Sequence, residues 1–325
     1  MSKTSNSNRN IIFLKLSVTV ILLGWLMSQI ETTEIEKTIY QTNLSYIGYA
    51  IIAHLLAFIV LSIRWWLLLK AQINDCEYRH VLGSYYLGLF FNNILPTGMG
   101  GDVIRILRLR KAGLNTQSLI SSTLADRIIG LASIVSMSVV AIFTLPYTQQ
   151  YINPAVGLTL FFAFVVVCFL LFFSSWSGRL LDYIESKSNP GKMIKYLFDV
   201  TRMLLEYRNN RTYVLAALSL SLFAQHLVII SYLLIGYSLN ITISIALYFS
   251  IMPIVFLATS LPISIGGLGV RESTLVALFT MFSVDTQSAI ALSLYYFLIL
   301  VLVTAPAAFL LLTKIDRQEQ IKAHL

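Results

Sequence analysis

Charge is scarce in this sequence. Only 12% of its 325 residues are Asp, Glu, Lys or Arg, about half of what soluble domains usually carry, which argues against a water-exposed globular fold. Cysteine is nearly absent as well. Cys76 lies in a charged loop and Cys168 deep in an apolar run, so neither a disulfide nor a thiolate metal site is expected. Nucleotide-binding signatures are lacking too, because Gly98-Met99-Gly100-Gly101 follows no strand pattern and is not continued by Lys-Ser/Thr. No cofactor is expected. The carboxylates inside apolar regions sit beside arginines rather than free to activate a nucleophile, so the chain does not read as an enzyme.

What is present is apolar: 57% hydrophobic residues with a mean hydropathy of +0.77. They fall in blocks long enough for bilayer-spanning helices of about 20 residues. The net charge of +8 then reads as basic flanks of spans rather than as a nucleic-acid surface. The block 11–30 is longer than a signal-peptide core and has no small-x-small pattern before Glu31, so a retained span is expected. Lys3 and Arg9 before it, with Glu31, Glu34 and Glu36 after it, place the N-terminus in the cytoplasm.

Further spans are expected at 46–69, 121–145, 155–173, 213–237 and 288–312, the last ending at Lys314 and Arg317 on the cytoplasmic side. Arg64, Trp65, Trp66 and Lys70 read as a snorkelling cluster at the end of the second span. The segment 176–211 is basic and amphipathic, with Ile194, Leu197, Leu204 and Leu205 near one helical face, and reads as an interfacial cytoplasmic helix. Two further apolar stretches are short and broken by Pro and Gly. One, 81–95, has basic clusters on both flanks; the other runs through 244–260, 262–269 and 272–282. Both are expected to be re-entrant hairpins, which lipid tolerates only where irregular backbone is buried in protein or lines a cavity. The expectation is an all-α, polytopic membrane protein forming one domain over 1–325, with inverted repeats, about six full spans and two re-entrant broken-helix hairpins.

The two broken regions share one pattern, Leu95-Pro96-x-x-x-Gly100-Gly101-x-x-x-Arg105 and Leu261-Pro262-x-x-x-Gly266-Gly267-x-x-x-Arg271. Paired Gly/Pro-interrupted segments in halves of opposite orientation mark inverted-repeat transporters, whose substrate sites lie where broken helices meet. Glycine permits close backbone approach, and a helix starting after each Gly-Gly directs unpaired N–H groups and its positive dipole end at the break, where an anion is favoured. Arg105 and Arg271, one turn further on, offer planar donors for a phosphate. Arg105 reads equally as the first of a basic flank, whereas Arg271 lies in apolar surroundings, where an ionisable residue is a functional hypothesis by default.

Glu272 is placed to neutralise its neighbour. Asp126 and Arg127 read either as an ion pair stapling helices or as substrate contacts, and Asp102 reads as an N-cap. Gln225 and His226, near the middle of a span, read as lining a cavity or relaying protons, or, as a lone buried His more often does, as bonding a neighbouring helix.

The stretch Asn92-Asn93-Ile94-Leu95-Pro96-Thr97-Gly98-Met99-Gly100-Gly101-Asp102-Val103-Ile104-Arg105, then Asp126-Arg127, then Leu261-Pro262-Ile263-Ser264-Ile265-Gly266-Gly267-Leu268-Gly269-Val270-Arg271-Glu272 resembles the lysylphosphatidylglycerol synthase transmembrane family. That family includes the flippase domain of the bacterial multiple peptide resistance factor. The resemblance covers essentially the whole chain and implies movement of lipids between leaflets of the cytoplasmic membrane. It carries Asn93, Pro96, Gly100, Gly101, Asp102, Arg105, Asp126, Arg127, Pro262, Gly266, Gly267, Gly269, Arg271 and Glu272 as candidate substrate-binding residues. The chain ends at Leu325, leaving no room for the lysine-transferring soluble domain of the full-length factor, so that activity is not expected. The expected partners are membrane lipids with anionic or phosphate-bearing headgroups, and not nucleic acid; a homo-oligomer or a lipid-modifying enzyme partner stays open. The competing functions are a membrane-embedded transferase acting on lipid-linked substrates and an accessory scaffold for a lipid synthase or glycosyltransferase.

Overall fold

The computed structural model describes residues 42–73, 76–94, 100–144, 163, 175–187, 192–260 and 267–311. Among these the regular structure is helical throughout: α1 (Leu44–Lys70), α2 (Tyr78–Ile94), α3 (Gly100–Lys111), α4 (Thr116–Thr144), α5 (Ser175–Lys187), α6 (Lys192–Glu206), α7 (Arg211–Ser238), α8 (Ile245–Ser260), α9 (Val270–Thr280) and α10 (Thr286–Thr304), with 3₁₀ turns at Tyr207–Asn209 and Ala305–Leu311. Four helices, in α1, α4, α7 and α10 with its 3₁₀ extension, are long and apolar enough to cross a membrane. They match four of the six expected spans; the expected spans 11–30 and 155–173 lie outside the described residues. The chain is a multi-pass integral membrane protein.

Local chemistry sets the helix starts. Asn43 Oδ1 accepts from the Ser45 N–H at 3.1 Å, and Asp285 accepts from the Ser288 N–H at 2.7 Å, each satisfying a donor that the first turn leaves open. Pro253 falls inside α8, where it removes one helical N–H. Its carbonyl accepts from Ser138 of α4 at 2.9 Å, so the proline position is also a helix–helix contact.

The centre is the pair α1 and α7, which run antiparallel. Asn43 N–H donates to Ser238 O at 3.2 Å and Ser231 Oγ to Ala50 O at 3.0 Å. Towards the other end Arg64 meets Ser221, and Tyr207 Oη donates to Leu68 O at 2.7 Å. Small buried residues permit the approach: Ala50 and Ala57 on α1, and Ala217, Ser221, Ala224 and Ser231 on α7.

Arg105 and Arg271 are 166 positions apart. That single shift carries the starts of α1, α2, α3 and α4 onto those of α7, α8, α9 and α10 to within four residues. The packing is reciprocal as well: α8 lies on α4 as α2 lies on α10 and its extension, and α4 lies on α7 as α10 lies on α1.

In each set the two shorter helices form a hairpin. α3 returns along α2, with Gly88 against Gly101, Tyr85 against Arg105, and Val81 in one cluster with Leu109. α9 returns along α8, with Thr259 beside Gly267 and Tyr248 against Phe279. α2 and α8 are about 25 Å long at 1.5 Å per residue, short of the roughly 30 Å of hydrocarbon a crossing requires; α3 and α9 are shorter still.

Two expectations need correction. Arg64 and Trp65 do not snorkel: they are 6% and 0% exposed, because Arg64 has an acidic partner inside the protein. The apolar residues expected on one interfacial face of 176–211 also divide. Leu204 and Leu205 are buried with the face of α6 turned to α4, while Ile194 and Leu197 remain 49% and 56% exposed.

Candidate functional site

Two buried charge clusters occupy the α1–α7 frame at different levels. The first is centred on Asp126 of α4, 4% exposed. Its Oδ1 accepts from Arg64 Nε of α1 at 2.7 Å, and its Oδ2 accepts from Arg105 Nη1 and Nη2 of α3 at 3.3 and 3.2 Å. Arg64 Nη1 donates to Ser221 of α7 at 2.8 Å, and Ser221 shares a 2.6 Å hydrogen bond with Ser133. Arg105 continues outward to Asp102 at 3.1 Å, and Asp102 to Arg127 at 2.7 Å. The result is an alternating series, Arg64–Asp126–Arg105–Asp102–Arg127, leading from the protein interior to a partly exposed guanidinium. The Arg105 guanidinium carbon stands 4.3 Å from the Trp65 ring centroid, a cation–π contact, and its Nε is buried with no hydrogen-bond partner.

The second cluster belongs to α9 and α10. Glu272 Oε2 accepts from the Gly269 N–H at 2.6 Å, and its Oε1 accepts from Arg271 and, at 2.8 Å, from Ser293 Oγ. Arg271 Nε also donates to Ser293 Oγ at 2.9 Å, and its guanidinium carbon is 5.5 Å from the Tyr296 ring. Gly269 has φ 82° and Gly267 φ 76°, backbone that favours glycine. The turn therefore needs these residue types to deliver Glu272 to its own helix start.

Asp126 and Arg127, read as one pair, point to different partners. Asp102 lies inside the first turn of α3 and serves Arg105 and Arg127; at that helix start the Gly101 N–H is met by Asn92 Oδ1 at 2.9 Å. Gly101 is where two backbones cross rather than open space: an added Cβ would overlap the Gly88 carbonyl oxygen and lie 2.7 Å from the Asn92 side chain. Gly100 is the first residue of α3. Asn93 donates to Thr304 Oγ1 at 3.0 Å, tying α2 to the end of α10. Pro96, Pro262 and Gly266 lie outside the described residues. His226 is exposed and bonds Leu222 O of its own helix at 2.7 Å; Gln225 is half-buried.

Arg64, read in the sequence only as a snorkelling residue, joins the site, and Ser221, Ser133, Ser293 and Tyr296 carried no sequence signal at all. The signal for Arg64 was present, since it is a cation within an apolar span, but its place near the span end favoured snorkelling. No hydrogen bond or ion pair among the described residues joins the two clusters. Ser221 and Tyr232 of α7 mark their levels: Ser221 belongs to the first, and Tyr232 stacks on Tyr296 at 4.0 Å beside the second. Eleven residues of helix separate these markers by about 16 Å.

Apolar spans, two reciprocally packed four-helix sets and buried arginine–carboxylate clusters define a polytopic helical membrane protein with its ionisable groups turned inward. The chain belongs to the lysylphosphatidylglycerol synthase TM region family, which it matches over residues 12–307. It is similar to a UPF0104 membrane protein of Methanocaldococcus jannaschii, 23% identical over 293 residues that cover 86% of this chain and 87% of the relative. It is also similar to a UPF0104 membrane protein of Pyrococcus horikoshii, 25% identical over 134 residues, covering 40% of this chain and 39% of the relative.

Proposed function

We propose that the protein is a lipid transporter of the flippase type, carrying an anionic phospholipid or lipid-linked phosphate between the leaflets of the cytoplasmic membrane. The observation behind this reading is the placing of equivalent buried arginines, Arg105 in the first half of α3 and Arg271 at the start of α9, on two short hairpin helices and at two depths of the antiparallel α1–α7 pair. Antiparallel mates at a constant sequence shift fit an inverted repeat, and alternating access uses such a repeat to present one site to either side. The hairpins are then re-entrant, and both termini are cytoplasmic.

Each arginine is already matched by a carboxylate, so an incoming phosphate competes with Asp126 or Glu272 for the same donors. That exchange suits a carrier, which must release what it binds. The buried carboxylates Asp126 and Glu272 are both engaged by arginine, which supports a non-catalytic reading. The proposed partners are membrane lipids, with a homo-oligomer or a lipid-modifying enzyme as a further association.

The test uses purified protein in liposomes with fluorescent phosphatidylglycerol and an impermeant quencher. Wild-type protein should move the lipid without added enzyme or nucleotide. Arg271→Ala should slow movement by roughly ten- to a hundredfold, the worth of a hydrogen bond to a charged group, and Arg271→Lys should recover only part of it, lacking the planar fork. Wild-type rates from a stably inserted, monodisperse Arg271→Ala protein would leave Arg271 as a structural partner of Glu272.

Topology is checked separately by single-cysteine labelling in Cys168→Ser protein. Cysteines placed at Lys70 and at Lys111 should both be shielded from an impermeant thiol reagent added outside, and one at Asn240 should be labelled. Native Cys76 should stay silent, since burial and then the neighbouring Glu77 push its thiol up to about 11. Labelling at one of the two lysine positions but not the other would break the first hairpin.

A further inference from the structure

We infer that His54 is a proton-binding site of the transport pathway, so that a proton travels with the anionic headgroup; this rests on the transport reading above. His54 lies in the N-terminal half of α1, is 0% exposed, and has no hydrogen-bond partner at Nδ1 or Nε2. Buried polar atoms are nearly always bonded, and an exception calls for a cause. A phenylalanine would fill the same aromatic setting at no such cost, and His54 already packs edge-on against Phe58 and Tyr296, at 4.5 and 5.2 Å between centroids. An imidazole here keeps one open donor and one open acceptor, the equipment for taking up and passing on a proton.

Tyr296 is the link to the second cluster. One ring contacts His54, stacks on Tyr232 of α7 and lies beneath the Arg271 guanidinium. The other titratable or charged groups around His54 are Glu272 of α9, paired with Arg271; Tyr86 of α2, reached through Phe58; and Asp126 of α4, which meets α1 at Arg64. None of them bonds the imidazole.

A proton on His54 places a cation in a dry site, which requires an anion nearby. A headgroup phosphate drawn to Arg271 supplies one, and by reciprocity each then favours binding of the other. The proton comes from water on the loading side, rests on a ring nitrogen, and leaves to water on the far side as the lipid is released. No other bond is made or broken.

The test is accumulation. Full-length protein in phosphatidylcholine vesicles with fluorescent phosphatidylglycerol is given a pH gradient, acid on the donor side. With one proton carried per lipid, each pH unit should bias the final leaflet distribution by about tenfold. His54→Gln and His54→Phe should abolish that bias while lipid still equilibrates at symmetric pH, and His226→Gln should retain it. His54→Phe guards against misfolding, since it suits an apolar setting. An unbiased wild-type distribution, or a bias that survives in both His54 variants, overturns the proposal while leaving the transport reading intact. A wild type that moves no lipid even at symmetric pH removes both.

Discussion

Asp126→Ala is expected to lower stability by about 3–5 kcal/mol, the usual cost of removing one partner from a buried ion pair. The reason is the number of groups it holds. Asp126 accepts from Arg64 on α1 and Arg105 on α3 while itself belonging to α4. Its loss leaves Arg64 with Ser221 and Arg105 with Asp102, two guanidiniums short of counter-charge in an apolar interior. Unfolding of detergent-solubilised protein, followed through Trp65 beside Arg105, provides the measurement. Adding Arg64→Leu to Asp126→Leu removes both members of one pair and should recover a good part of the loss, since apolar replacement of a whole buried pair is often near neutral. A loss below about 1 kcal/mol for Asp126→Ala would equate the cluster with an exposed surface pair, contrary to its burial.

Gly101→Ala should be comparably damaging for a steric reason. The new Cβ would enter the Gly88 carbonyl oxygen, which is backbone and has no rotamer through which to yield, so the arms of the first hairpin must spread. Overpacking typically costs about 1–3 kcal/mol, and a clash with backbone belongs at or beyond the upper end. Gly88→Ala, whose Cβ would come to 2.8 Å from the Gly101 oxygen, should do less harm. Gly48→Ala is the internal control, because nothing lies within 4 Å of that position; there alanine should be neutral or stabilise α1 by up to about 1 kcal/mol through helix propensity. Monodispersity on size exclusion and the unfolding midpoint separate the three. Equal behaviour of Gly101→Ala and Gly48→Ala would discard the close-packed hairpin.

On the proposed transport reading, the charge ladder also bears on where an anionic headgroup would enter. Arg127 is the partly exposed end of the series that leads to Arg64, so an anion arriving there meets a guanidinium at each alternate step. The second cluster has no such series among the described residues; Glu272 closes on its own helix start and on Ser293. The two halves thus share a backbone plan but hold their arginines by different means, Arg105 through Asp126 of a separate helix as well as Asp102 of its own, and Arg271 through the adjacent Glu272.

Much of this was legible in the chain itself. Apolar block length gave the spans, since about 30 Å of hydrocarbon needs about 20 residues of helix, and four of the expected spans coincide with described helices. Matching Gly-Gly and Arg spacing marked both pairs of short packed helices and the sequence shift that relates them, because the same local constraint was written twice. The Arg271–Glu272 pairing followed from adjacency in an apolar setting. Partner choice across helices had no such signature. Asp126 with Arg64, Asp102 with Arg127, Gly101 with Gly88, and the isolation of His54 all depend on which helix faces which. Position along a helix gives depth but not facing, so Arg64 read as snorkelling until α4 supplied its carboxylate, and Gly101 read as room for a ligand until α2 filled it. One-dimensional pattern determined the solvent, the four long apolar helices among the described residues and the repeated pairs of short helices, because those depend on periodicity and length. The tertiary structure decided which charges meet and which polar atoms stay unmet, because in lipid those contacts are set by helix rotation and packing rather than by a hydrophobic stripe.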